Sequence, residues 1–351
     1  MNPSVSVIVV NYRQATLAAR CVASLRRAFD GEDVAGEIVL VDCGSGEEEA
    51  AALEAVPAEL VRLPDNRGYS GGVNAGMARS RAERFVLCNA DVEFRDGALA
   101  KLVRSLDDPR AGACGPVCSW DASDRVLLPP GFDPGFLQEL GMLRPRRSAR
   151  RDDRSFANFA REAVQLWTRG GAARHLSGAV LAARRDVFDR VGRFDEGFLF
   201  EYEETEWERR VRAAGFELRV VAGARVRHLW GGSARGDPET ERRRRESRAL
   251  FRERHYGRVG RVLLERAGGS AGRPSRAAPP RRDRVELPAQ PGAWLALSPH
   301  ASRIPFAGAD LALPFRVPEE IRAAAPAGDW FCTIFSGEDG RPLDTFVAEL
   351  A

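Results

Sequence analysis

Arg84-Phe85-Val86-Leu87-Cys88-Asn89-Ala90-Asp91-Val92-Glu93 is a short apolar run that stops abruptly at a carboxylate. An uninterrupted apolar run of this length reads as a strand buried on both faces, as in a parallel sheet. Ligands of open α/β sheets sit outside the carboxyl ends of the strands. Asp91 therefore stands where a ligand would be, and Asn89 and Asp91 both offer hard oxygen atoms to a divalent cation. An ordinary turn or helix cap uses the same residue types, so this stretch alone leaves both readings open.

Upstream, Val5 to Val10 reads as a first buried strand, with Asn11-Tyr12-Arg13 as its loop and a helix over Ala15 to Phe29. Glu37 to Val41 is a second strand closed by Asp42-Cys43-Gly44-Ser45, and a helix follows from Glu47 to about Ala55. Leu60 to Leu63 is a short third strand, after which the glycine-rich Gly68 to Gly76 leads into a helix. Strands and helices that alternate through short connections predict a doubly wound, mostly parallel α/β sheet.

Regularity fails from about Trp120 to Thr168, which reads as an insertion carrying the basic run Arg144 to Arg154. Runs of this kind usually form a solvated face. Order returns with a strand over Leu176 to Leu181, a helix over Asp186 to Val191, a long helix after the acidic cluster at 201–208, and a strand over Leu218 to Val221. Glu241 to Leu264 reads as a basic helix, and Ala267 to Arg284 as a Gly/Pro/Arg-rich linker. Short strands follow at Trp294 to Leu297, Leu311 to Val317, Trp330 to Phe335 and Thr345 to Leu350. This predicts a main domain over 1–264, a linker over 265–285 and a small all-β appendix over 286–351. That appendix is small for an independent sandwich and is expected to lean on the main domain or on a second copy of the chain.

The 351 residues suffice for a large buried core, and a net charge of +3 gives no sign of a nucleic-acid partner. Lys101 is the sole lysine, so the cationic charge is almost all arginine, as a GC-rich genome would produce. No stretch approaches the ~18 apolar residues of a membrane span, and the start lacks signal-peptide features. Cys21, Cys43, Cys88, Cys114, Cys118 and Cys332 form no Cys-x-x-Cys pair. Zinc and a disulfide framework are therefore not expected, and a cytoplasmic location is.

Asp42, at a strand end, can hydrogen-bond a nucleobase or ribose or simply cap a helix. The glycines of Asn66 to Gly76 would let a backbone approach a ligand, and the helix start after them favours phosphate. Glu201-Tyr202-Glu203-Glu204-Thr205-Glu206-Trp207-Glu208 holds five carboxylates in eight positions. Mutual repulsion there calls for a cation or raised pKa values. Glu206 with Arg210 and Glu208 with Arg212 can form surface pairs at i,i+4. That leaves Glu203 and Glu204, either of which could serve as a general base. His228 ends a strand-like segment, where a ligand role competes with a structural one.

In this order the motifs resemble the family 2 glycosyltransferases of the GT-A fold, nearest the rhamnosyltransferase-like branch, over roughly residues 4–262. The resemblance rests on Val5 to Tyr12, Val41 to Ser45, Asn66 to Gly76, Asn89-Ala90-Asp91 and His228. It implies an inverting transfer from a dTDP-rhamnose or UDP-sugar donor, assisted by Mg²⁺ or Mn²⁺. Asp91 would be the main acidic metal ligand, since asparagine stands at the first place of the family's Asp-x-Asp, and His228 would be a further metal or diphosphate contact. Val10, Asn11, Tyr12, Asp42, Asn66, Gly68, Gly71, Gly72, Asn74, Asn89 and Ala90 would line the donor. The family's Glu-Asp-x-Asp element resembles Glu203 to Glu206, which maps the base to Glu204, with Glu203 the neighbouring alternative. Gly178 and Trp230 would lie on the acceptor side. The acceptor would be a glycan, a lipid-linked or a small molecule, with peripheral contact at the inner membrane face and self-association both open. A sugar-nucleotide nucleotidyltransferase or a non-catalytic carbohydrate-binding protein are the rival readings; the first lacks its glycine- and lysine-rich signature after the first strand.

Overall fold

The structure is a computed structural model that describes residues 4–131, 135–143, 149–229, 237–269, 279–300, 303 and 305–350. These divide into two compact units. One is drawn from the described residues within 4–118, 169–229 and 237–251, the other from those within 119–168 and 252–350.

The first unit opens with β1 (Val5–Asn11), α1 (Ala15–Gly31), β2 (Gly36–Cys43), α2 (Glu47–Glu54), β3 (Glu59–Leu63), α3 (Gly68–Arg79) and β4 (Arg84–Asn89). β1 pairs in parallel with β2 and β4, and β2 with β3, giving the order β3-β2-β1-β4. β1 and β4 are almost wholly buried, as their uninterrupted apolar runs predict. The chain continues through β5 (Val92–Phe94), α4 (Ala98–Ser105) and β6 (Ala111–Ser119). It then gives β7 (Val126–Leu127), α5 (Gly135–Leu143) and most of α6 (Ala149–Arg169) to the second unit. On its return come β8 (Gly171–Ala173), β9 (Val180–Arg184), α7 (Arg185–Val191), α8 (Glu203–Ala213), β10 (Glu217–His228) and α9 (Pro238–Gly269). β9 is antiparallel to β4, and β10 is antiparallel to β5 and β8. The expected mixed α/β sheet is thus parallel through β4 and antiparallel beyond it.

The glycine-rich segment departs from the expected loop. Gly71, Gly72 and Gly76 lie inside α3, and Gly72 and Gly76 face the sheet. A Cβ on Gly72 would come 2.6 Å from Val10 Cγ1 and 2.9 Å from Cys43 Sγ, and one on Gly76 2.5 Å from Ile8 Cγ2. Their smallness lets a helix lie close against β1 and β2. Gly68, at φ +70° beneath the Leu199 carbonyl, is held by the turn itself.

Three further boundaries differ from the sequence reading. The strand expected from Leu176 begins at Val180, because the Leu176 N–H is spent on the Glu208 carboxylate. β10 runs for 12 residues, well beyond the segment expected. α9 breaks at Gly257, φ +68°, so the basic helix is two helices with different neighbours.

The second unit continues with β11 (Glu286–Leu287), β12 (Ala293–Ser298), β13 (Ala307–Asp310), β14 (Phe315–Arg316), α10 (Glu319–Ala324), β15 (Asp329–Ser336) and β16 (Pro342–Glu349). Of the strand expected over Leu311 to Val317 only β14 forms, and a turn containing Pro314, which has no N–H to pair, separates it from β13. Antiparallel pairing gives the order β16-β15-β12-β13-β7. The sheet's companion is α6, from the segment read as an irregular insertion. Phe156 stacks on Phe306 and meets Phe335 edge-on, and Trp167 stacks on Trp294. Trp167 Nε1 donates to the Leu128 carbonyl at 2.9 Å. Residues 149–154 of the basic run begin α6, while 144–148 lie outside the described residues. Of the linker, Arg281 reaches Asp329 and Glu349, and Arg282 covers the Phe346 ring at 4.0 Å. The fully buried Phe156 ties helix to sheet. Phe156→Ala is therefore expected to lower stability by about 3–5 kcal/mol, read from the urea midpoint of the second unit's transition.

Candidate active site

Parallel pairing lines up the polar ends of three strands. Asn11 stands opposite Asp42, and Val10 opposite Asn89. Asn11 and Asp42 are buried, and Asn11 Nδ2 donates to Asp42 Oδ1 at 3.1 Å. Ser45 returns its hydroxyl to the same oxygen and its N–H to Oδ2 at 3.3 Å, while its Oγ accepts the Arg13 N–H at 2.8 Å. Asp42 is therefore a rigid acceptor that closes the β2 turn. Tyr12, half exposed, lies under the Arg13 guanidinium at 5.0 Å.

β4 ends at Asn89, and the chain turns through buried Ala90 and Asp91 into β5. There β10 arrives antiparallel, pairing His228 with Val92, and the Leu229 N–H donates to the Asp91 carbonyl at 3.0 Å. This brings two sequence candidates together: His228 Nε2 lies 3.4 Å from Asp91 Oδ1. Both residues are buried, and Asp91 Oδ1 has no hydrogen-bond partner. A buried carboxylate oxygen left unpaired is costly unless a cation or donor meets it. One carboxylate oxygen with one imidazole nitrogen suits a divalent cation that takes its remaining ligands from a diphosphate and water. Among the described residues no third His, Cys, Asp or Glu joins them.

α3 meets the site through its N-terminal turn, where Asn66 Oδ1 accepts the Gly68 N–H at 2.9 Å. Asn74, one turn further in, is occupied elsewhere: its Nδ2 donates to the Phe194 carbonyl at 2.9 Å and to Glu196 Oε1 at 3.0 Å. Arg67 pairs with Glu196 as well, so α3 is pinned to the segment that leads into α8. From the other side Ser247 Oγ on α9 accepts the N–H groups of Leu199 and Phe200 at 3.1 and 3.2 Å. Between these anchors Glu201 and Tyr202 both adopt positive φ, 63° and 72°. Tyr202 packs on Phe251 at 5.0 Å, and Arg244 holds Glu201 at 3.0 Å. Two consecutive left-handed residues without a glycine mark a backbone held in place by its surroundings.

The acidic cluster opens α8, where the helix dipole favours negative charge. Its carboxylates have separate fates. Glu206 pairs with Arg210, as expected. Glu208 does not form the expected surface pair with Arg212: it is fully buried, hydrogen-bonded to His175 Nδ1 and to the Leu176 N–H at 3.2 Å. Glu203 is buried with Oε2 unpartnered, and burial, with the adjacent Glu204, pushes its carboxyl well up. Glu204 keeps 19% side-chain exposure, with Oε1 4.0 Å from His175 Nε2. Burial raises its pKa while His175 pulls the other way. It lies against Gly178, where an added Cβ would come 3.1 Å from Glu204 Cδ. His175 escapes a sequence reading, for its partner Glu208 is 33 residues away and neither residue carries a motif. Trp230 lies outside the described residues. All six cysteines are buried and free.

A mostly parallel α/β sheet with polar strand ends, an Asp91–His228 pair and an acidic helix start is a fold of the GT-A kind. Residues 6–165 match the family model described as "Glycosyl transferase family 2", and the chain is a glycosyltransferase. It is 28% identical, over 68% of its length and 80% of the relative's, to the N-acetylglucosaminyl-diphospho-decaprenol L-rhamnosyltransferase of Mycobacterium tuberculosis. Over 36% of the chain and 35% of the relative it is 30% identical to the succinoglycan biosynthesis protein ExoO of Rhizobium meliloti. The fold is similar to that of a mannosyltransferase from Pyrobaculum calidifontis in complex with GDP-Man and Mn²⁺. The TM-score is 0.50 and the identity 17%, covering 78% of this chain and 77% of the other.

Proposed function

We propose that the protein is an inverting, metal-assisted glycosyltransferase that moves a sugar from a dTDP-rhamnose or UDP-sugar donor to an acceptor hydroxyl. The observation that carries this reading is the unpartnered, buried Asp91 Oδ1 beside His228 at the end of β4. Asp91 and His228 would hold Mg²⁺ or Mn²⁺, which when bound neutralises the charge developing on the departing diphosphate. Asp42, its two oxygens fixed by Asn11 and Ser45, receives the nucleoside. Val10, Tyr12, Asn66, Gly68 and Asn89 border the same strand and helix ends. Gly72 and Asn74 support this edge by packing α3 against its neighbours, and Gly71 leaves room for the Arg67 side chain.

Glu204 takes the proton from the acceptor hydroxyl as that oxygen bonds to the anomeric carbon, and the bond from this carbon to the diphosphate breaks on the opposite face. A single displacement inverts the anomeric centre. Burial and the adjacent Glu204 push the Glu203 carboxyl up, toward its neutral form. Because burial raises Glu204 and a base works deprotonated, turnover should fall with decreasing pH through a point above the ordinary glutamate value of about 4.3.

A lipid-linked acceptor is supported by the mycobacterial relative, whose name specifies a diphospho-decaprenol. No helix among the described residues is long and apolar enough to cross a membrane. Peripheral attachment at the inner face fits the second half of α9, where Val259 and Leu263 are exposed between Arg258 and Arg266. The test is a panel of nucleotide sugars with Mn²⁺ or Mg²⁺, read as nucleotide diphosphate released. A dTDP- or UDP-sugar should turn over only with metal; a panel without metal-dependent binding or turnover refutes the reading.

A further inference from the structure

Most of the acidic cluster is explained by the helix dipole, by Arg210 and Arg244, and by the proposed base. The buried Glu208–His175 pair is not. His175 lies in the irregular segment between β8 and β9, its side chain only 7% exposed. Glu208 is sealed and takes both the ring Nδ1 and the Leu176 N–H. With Nδ1 so fixed, Nε2 points to the remaining polar groups of α8: Thr205 Oγ1 at 3.5 Å and Glu204 Oε1 at 4.0 Å. A carboxylate, an imidazole and a second carboxylate therefore stand in series, the last of them against Gly178.

We propose that His175, oriented by Glu208, is a positioning residue for Glu204 that keeps the Glu204 carboxylate charged and turned toward the acceptor side. The inference rests on the reading of Glu204 as base. Two carboxylates flanking one ring favour the imidazolium, whose charge in a site sparing in water opposes protonation of Glu204. Of the other groups facing Glu204, the carboxylates oppose its ionisation, Glu203 and Glu208 on its own helix and Glu201 in the preceding turn, while its own backbone N–H favours it. Tyr69 of α3, buried and neutral, adds no positive charge. His175 is thus the cationic counterweight among these groups. The same geometry explains why Glu208 is buried when Arg212 on its own helix could have paired with it at the surface.

The experiment has two arms. ¹⁵N-histidine NMR of the full chain, without donor or metal, follows the ring resonance that disappears in His175→Gln. Its titration midpoint should fall by about one pH unit in Glu204→Gln, because one flanking carboxylate is gone, and likewise in Glu208→Gln. The second arm measures dTDP release from dTDP-rhamnose with Mn²⁺ against pH. In His175→Gln the acid limb should move up by about one unit, a loss of roughly tenfold on that limb, with the donor KM unchanged. A His175 midpoint indifferent to Glu204→Gln overturns the proposal, as does an acid limb unmoved in folded His175→Gln. If Glu204→Gln turns over like the wild type, the base reading fails and the role given to His175 falls with it. If Glu204→Gln is inactive while both arms stay flat, the base reading stands and this inference alone is lost.

Discussion

Glu204→Gln is expected to lower sugar transfer by roughly 10²–10⁴-fold, the usual contribution of a positioned general base, while donor affinity stays within about twofold of the wild type. The substitution keeps the side chain's length and its contact with Gly178 but removes the ability to take a proton. Donor binding is spared because the strand-end groups Asn11, Asp42 and Asp91 are left intact. Single-turnover transfer together with calorimetric donor titration separates the two quantities. Glu203→Gln provides the contrast: its carboxyl is already driven toward the neutral acid by burial, so the amide should retain most of the activity. Inactive Glu203→Gln with active Glu204→Gln would move the base by one residue.

Asp91→Ala is expected to abolish metal-dependent donor binding, a loss of at least about a hundredfold, since even partners that only orient a metal ligand cost 10–100-fold. The site has little redundancy. Asn89 stands where a second carboxylate would add charge, and among the described His, Cys, Asp and Glu residues only His228 joins Asp91 as a possible ligand. With one carboxylate, metal affinity should be weak until the donor's diphosphate contributes its own charge, so Mn²⁺ and donor should bind cooperatively. The measurement is a titration of the donor with and without Mn²⁺ in wild type, Asp91→Ala and Asp91→Asn. The asparagine variant keeps volume and the backbone bond to Leu229 while removing charge. Unchanged Mn²⁺-dependent binding in both variants would reduce Asp91 to a strand-end turn residue.

The parallel half of the fold was legible because each buried strand declares itself locally. Val5–Asn11, Gly36–Cys43 and Arg84–Asn89 are apolar runs ended by a polar residue, and a parallel strand buried on both faces requires that pattern. Their polar ends fall on one edge as a consequence of parallel register, so Asn11, Asp42 and Asp91 were found together. Glycines misled for the opposite reason. Gly72 and Gly76 look the same in a ligand loop and in a helix pressed on a sheet, and only the positions of Val10 and Ile8 distinguish the two. The segment from about Trp120 to Thr168 looked irregular because the aromatic face of α6 has no visible purpose until Phe306, Phe335 and Trp294 arrive from more than a hundred residues away.

By itself the sequence determined the α/β class, the succession of strands and helices through β4 and a motif set resembling that of family 2 glycosyltransferases, since these depend on residue patterns a few positions long. Only the tertiary structure decided which charges meet. The pairing of β10 with β5 sets His228 beside Asp91, and the segment before β9 sets His175 between Glu204 and Glu208. The five glutamates of the cluster are chemically alike in sequence. They acquire different roles because burial and the nearest opposite charge, both products of long-range packing, differ for each.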